Sequence, residues 1–223
     1  MAKTLTELKI CGITTSDQAL EIASLGVNAI GVIAVKSSPR FLDPLKRSNL
    51  FKDLSYFYPK ISRVLVVANN NDADIEEIIN REGCPSIIQL HGNESPERCI
   101  QLKQNHPQIQ WWKAFRIRKK IDIQVASKYE AIVDSILLDA WSNEQLGGTG
   151  NRINIEWLKN ISFQSNWWLA GGINSDCIPQ ILNNLTPYGL DASSKLETSP
   201  GIKDIEKVKL MIKAIKENKN KSV

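Results

Sequence analysis

Several places along the chain combine residue types that could do chemistry. Cys11 ends the run Leu8-Lys9-Ile10-Cys11 and Asp139 ends Ile136-Leu137-Leu138-Asp139, while the pairs Gly171-Gly172 and Ser193-Ser194 each follow a short strand-like run. An ionised thiol can take a proton and a carboxylic acid can give one, so a cysteine and an aspartate facing each other would form a base and an acid. Glycine lets backbone N–H groups approach an anion closely, and the two small-residue pairs together read as a phosphate cradle. Plainer readings stand beside these. A cysteine on a strand can be a small core hydrophobe. An aspartate there is unfavourable unless paired or used, but it can also cap the next loop. Gly-Gly by itself can be a tight turn. His91, in Gln-Leu-His-Gly, ends another run and could orient a neighbour or take part in catalysis.

The elements that must position these residues follow from the apolar pattern. Strand-like runs lie at 8–11, 29–35, 62–68, 86–90, 110–115, 135–139, 167–170 and 189–192. Most are continuously apolar, as in a parallel sheet buried on both faces. Helix signals fall between them. Ser16 precedes Ala19, Ile22 and Ala23, and Gly26 follows; Asn71 or Asp72 precedes Ile75, Ile78 and Ile79, with a stop at Gly83. Ser95-Pro96 reads as a cap and first helical residue, Ser175 opens Ile178, Ile181, Leu182 and Leu185, and Asp204 opens Ile205, Val208, Ile212 and Ile215. Eight strand–helix units joined by right-handed crossovers predict an α/β fold, a (β/α)8 TIM barrel in a single domain over 1–223. A doubly wound sheet would favour a glycine-rich turn after the first strand, and Cys11-Gly12-Ile13-Thr14 is not one. In a barrel the site lies at the C-terminal ends of the strands. That rule gathers Cys11, the loop from Val35 to Arg40, Asn69, His91, Arg116, Asp139, Gly171-Gly172 and Ser193-Ser194.

Composition narrows the function. The chain is 42% hydrophobic and 23% charged, with a net charge of +4. Residues 203–223 carry seven lysines and three acids, while the other 202 residues carry 21 of each sign and balance. The basicity thus belongs to a solvated last helix and a tail, 217–223, expected to fray, rather than to a nucleic-acid surface. No apolar run approaches the ~18 residues of a membrane span, and no secretory signal pattern opens the chain, so the expected location is cytoplasmic. Cys11, Cys84, Cys99 and Cys177 form no CxxC pair, and His91 and His106 sit in no ligand pattern, so no metal site is expected.

Read together, KICGIT (9–14), SPRF (38–41), QLHGNE (89–94), LLDA (137–140) with GGTG (147–150), LAGGIN (169–174) and YGLDASSKLETSPGIKD (188–204) resemble the phosphoribosylanthranilate isomerase family. The resemblance runs in order over almost the whole chain. It implies an Amadori rearrangement in tryptophan biosynthesis, from N-(5-phosphoribosyl)anthranilate to 1-(2-carboxyphenylamino)-1-deoxyribulose 5-phosphate. It implies Cys11 as general base, Asp139 as general acid, Arg40 at the anthranilate carboxylate, and Gly172, Ser193 and Ser194 at the phosphate. His91, Gly148, Gly171, Asp191 and Lys195 join them as substrate-binding positions. The implied partner is a small phosphosugar, and no cofactor is implied because the substrate nitrogen is the electron sink. Two departures stand out. The second strand, GVIAVK, is aliphatic where the family is aromatic-rich, and Lys195 occupies a glycine position. Lys195 is expected either to bring charge to the phosphate or to point to solvent, with backbone strain if φ is positive. Among other phosphosugar barrels, an indole-glycerol-phosphate synthase would need a lysine at an early strand end, and Lys9 lies two residues inside. A ribulose-phosphate epimerase would need metal-ligating His and Asp on several strands.

Overall fold

The computed structural model describes residues 6–140 and 152–220. Its elements are β1 (Glu7–Cys11), α1 (Ser16–Ser24), β2 (Ala29–Ile33), α2 (Pro44–Phe57), β3 (Ser62–Val67), α3 (Asp72–Asn80), β4 (Ile87–Leu90), α4 (Pro96–Asn105) and β5 (Gln110–Ile117). They continue with α5 (Lys120–Ser127), β6 (Ser135–Ala140), α6 (Ile155–Leu158), β7 (Asn166–Ala170), α7 (Ile178–Asn184), β8 (Gly189–Ala192), a hairpin of β9 (Glu197–Ser199) and β10 (Ile202–Lys203), and α8 (Ile205–Asn220). Strands β1 to β8 pair in parallel, in chain order, and β8 returns to β1 to close the barrel.

Alternation along each strand sorts side chains into two layers. Leu8, Ile10, Leu65, Ile88, Trp111, Ile136, Leu138 and Leu190 face outward and pack against the helices. Ala29, Val64, Ile87, Trp112, Leu137 and Trp168 fill the barrel interior, where the Trp112 and Trp168 rings lie 4.7 Å apart. Lys9 and Cys11 share the inward face of β1. The close register of β1 and β2 pairs Cys11 with Gly31, where a Cβ would lie 2.7 Å from Cys11 Sγ and 3.0 Å from Lys9 Cε. Glycine at 31 therefore makes the room in which the thiol and the lysine stem sit.

All eight expected strands form, with shifted ends. β2 stops at Ile33, two residues short of the expected end, and β5 runs on to Ile117, so Arg116 lies within the strand rather than at its end. The first helix is capped by Thr15, whose Oγ1 accepts from the Gln18 N–H at 3.3 Å, and Ser16 is its first residue. Ser175 begins a single 3-10 turn capped by Asn174, and α7 follows it. The last helix includes part of the tail expected to fray: Asn218 is buried, and its amide bonds Asn183 at 3.3 Å.

Candidate active site

A pocket opens at the C-terminal mouth of the barrel. Cys11 reaches it from β1, Arg40 from the loop after β2, His91 from the end of β4 and Asp139 from β6. Gly171 and Gly172 reach it from the turn after β7, and Asp191, Ser193, Ser194 and Lys195 from β8 and the turn beyond. Gly148 lies outside the described residues. Asn69 and Arg116, also read as strand-end positions, do not line this pocket. Gly171 and Gly172 have φ of 92° and 64°, and a Cβ on Gly171 would come within 2.3 Å of Ala140 Cβ. Both conditions require glycine there. Lys195 behaves otherwise: it is exposed in a 3-10 turn, Ser194–Leu196, and its φ is not positive, so the condition for backbone strain at that position is not met.

Beneath the mouth lies a buried ion pair. Lys9 Nζ, fully buried, donates to Asp191 Oδ2 at 2.8 Å and to Gln89 Oε1 at 2.9 Å. Burial pulls the Lys9 pKa down, but Asp191 and Cys11 outweigh it and raise the pKa, so the ammonium stays charged. Asp191 lines the same pocket, and its Oδ1 is buried with no hydrogen-bond partner among the described residues. Burial first, then the neighbouring Asp191 carboxylate, lifts Asp139 to about 7, against the opposing pull of Lys9 and Arg116. His91 Nε2 is 3.7 Å from Asp139 Oδ2. Burial, followed by Arg116, Lys113 and Lys9, lowers His91 to about 3, so its imidazole is neutral. Burial likewise raises the Cys11 thiol, with Asp191 adding to the effect and Lys9 and Lys203 opposing it.

A second cluster flanks the mouth. Arg40 donates from Nε and Nη2 to the two oxygens of Glu197, at 2.8 and 2.7 Å. Lys203 Nζ donates to Glu197 Oε1 at 2.6 Å and to Ser193 Oγ at 3.3 Å, and Ser193 Oγ in turn donates to the Cys11 carbonyl at 2.9 Å. Two cations share one carboxylate, so the cluster keeps one net positive charge beside the pocket. The β9–β10 hairpin thus ties the loop after β2 to the end of β1. Lys9, Gln89, Glu197 and Lys203 escaped the sequence reading of the site. A lysine inside the apolar first strand was a signal, because an unpaired buried charge is untenable. Glu197 and Lys203 gave none.

This fold and pocket define a (β/α)8 barrel whose C-terminal mouth holds a carboxyl raised to about 7, a buried thiol and a cluster of net positive charge. The sequence model of the N-(5'phosphoribosyl)anthranilate (PRA) isomerase family matches residues 8–214. The chain belongs to that family, and with it to the isomerases of tryptophan biosynthesis. It is 39% identical over 209 residues to the N-(5'-phosphoribosyl)anthranilate isomerase of Crocosphaera subtropica, covering 94% of this chain and 98% of that one. The phosphoribosyl anthranilate isomerase crystal structure from Thermotoga maritima superposes with a TM-score of 0.85 at 27% identity, covering 95% of this chain and 99% of that one. A phosphoribosyl anthranilate isomerase in complex with reduced 1-(o-carboxyphenylamino)-1-deoxyribulose 5-phosphate superposes with a TM-score of 0.78 at 25% identity, with coverage of 95% and 99%.

Proposed function

We propose that the chain converts N-(5'-phosphoribosyl)anthranilate to 1-(2-carboxyphenylamino)-1-deoxyribulose 5-phosphate, with Asp139 as the acid and Cys11 as the base. The observation that carries the role assignment is a buried carboxyl lifted to about 7 across the same pocket from a buried thiol. Asp139 in its acid form gives a proton to the furanose ring oxygen. The C1′–O bond breaks and the substrate nitrogen's lone pair forms the iminium. The Cys11 thiolate then takes the C2′ proton, and the electron pair flows to nitrogen to give the enolamine, which becomes the ketone by gaining a proton at C1′ and losing the proton of its 2′-hydroxyl. Neutral His91 beside Asp139 gives its carboxylate no counter-charge, which favours the acid form. Asp191 Oδ1, buried and unbonded, accepts from a substrate hydroxyl or amine.

The rim sorts the two anionic ends of the substrate. Gly172, Ser193 and Ser194 receive the phosphate, with Gly171 holding the turn against β6 and exposed Lys195 at its edge. Arg40 receives the anthranilate carboxylate through Nη1, because Glu197 holds its other edge. Ile33 and Val35 give an aliphatic wall on the β2 side. The four cysteines are free thiols, which supports a reducing compartment, the cytoplasm, as the site of action. Among the described residues no helix is long and apolar enough to cross a membrane.

The test follows consumption of fluorescent N-(5'-phosphoribosyl)anthranilate. Cys11→Ser keeps the size and offers a far weaker base, so kcat should fall at least ~10²-fold. Asp139→Asn should lower kcat with KM little changed, the sign of an interaction made in the transition state. Near-normal turnover in a folded Cys11→Ser or Asp139→Asn protein overturns the assignment.

A further inference from the structure

A proton inventory exposes a difficulty. The reaction needs Cys11 as thiolate while Asp139 still holds its proton. Burial raises both groups, and because the thiol starts from a higher value it keeps its proton while Asp139, at about 7, loses its own first. The productive form is therefore the minority of the two singly protonated forms, and whatever stabilises the thiolate decides how much of it is present.

Among the described residues, the charged groups that act on Cys11 are few. From its own strand comes Lys9, from β8 Asp191, from β10 Lys203, and from the loop after β2 Arg40. Arg40 and Lys203 are both committed to Glu197 at 2.6–2.8 Å. Asp191 carries the wrong sign. Lys9 is different in three ways. It stands two residues before Cys11 on the same inward face, and both side chains press on the same side of Gly31. It is fully buried, so its charge is poorly screened. It is also held from behind, by Asp191 at 2.8 Å and Gln89 at 2.9 Å, so its position does not depend on substrate.

We infer that Lys9 is a positioning residue for the known reaction: its ammonium, fixed by Asp191 and Gln89 below the pocket floor, is the charge that lets Cys11 ionise, and it never touches the substrate. The inference rests on Cys11 being the base, and the test separates the two. Alkylation of Cys11 by iodoacetamide is followed against pH by mass spectrometry of the Cys11 peptide, with no substrate present. Lys9→Met and Lys9→Gln should each move the midpoint of alkylation up by at least one pH unit and lower kcat at least ~10-fold, with KM within about threefold. The Gln variant retains a hydrogen-bonding group for Asp191 and serves if the Met variant fails to fold. Lys9→Arg should restore much of both readouts, and Lys203→Met should move the midpoint less than Lys9→Met does. An unchanged alkylation profile in folded Lys9→Gln overturns the inference even if activity falls. A shifted profile with unchanged kcat also overturns it, and points instead to Cys11 not being the base.

Discussion

Asp139 and His91 are buried side by side, and they titrate in opposite senses. Asp139 titrates at about 7 in the folded chain and near ~3.9 when unfolded, so between those values the native state holds a proton the unfolded state has lost. Stability therefore falls as pH rises across that window and stays lower above it. Asp139→Asn removes the dependence. The variant should gain on wild type from pH 4.5 to pH 8, by up to a few kcal/mol at ~1.4 kcal/mol per unit of pKa. Urea midpoints at the two pH values measure this, and a constant difference would show that Asp139 is not perturbed. His91 works the other way. At about 3 folded against ~6.5 unfolded, its stabilising share is complete above pH ~6.5 and lost as pH falls toward 3. His91→Gln should flatten the acid limb of the wild-type stability curve.

At the scale of elements, the pairing of β1 with β2 sets the width of the site. Gly31→Ala would place a methyl 2.7 Å from Cys11 Sγ and 3.0 Å from Lys9 Cε, closer than packed atoms sit. The thiol must move, so kcat should drop by ~10-fold or more, with about 1–3 kcal/mol of overpacking strain. Full activity in the variant would mean that the thiol has slack. The strands themselves were legible because a parallel barrel buries both faces, leaving continuous runs such as Val64–Val67 that few other structures produce. Cap positions slipped by one residue where neighbouring residues could both cap, as with Thr15 and Ser16. Helix α2 could have been read from Asp43-Pro44, a side-chain cap followed by proline at the first position. The β9–β10 hairpin could not, since strands of three and two residues show no periodicity. Cys11, Asp139 and the glycine turns were legible as strand-end residues, but their supports were not. The Lys9–Asp191 bond spans 182 positions, and nothing local to either residue encodes the other.

At the scale of the molecule, everything depends on the seam where the first strand meets the last. β8 pairs with β1 from Glu7↔Gly189 to Ile10↔Ala192 and sets Lys9 opposite Asp191. A chain ending at Tyr188 would leave β1 and β7 as open edges and Lys9 without its counter-charge. Such a chain should show no cooperative thermal transition by circular dichroism and no turnover; a sharp transition would mean that seven strands suffice. The seam also has a consequence in time. The Lys9–Asp191 contact joins strands 182 positions apart, so the floor beneath the pocket is completed by the same event that closes the barrel, and no earlier stage of folding can form it.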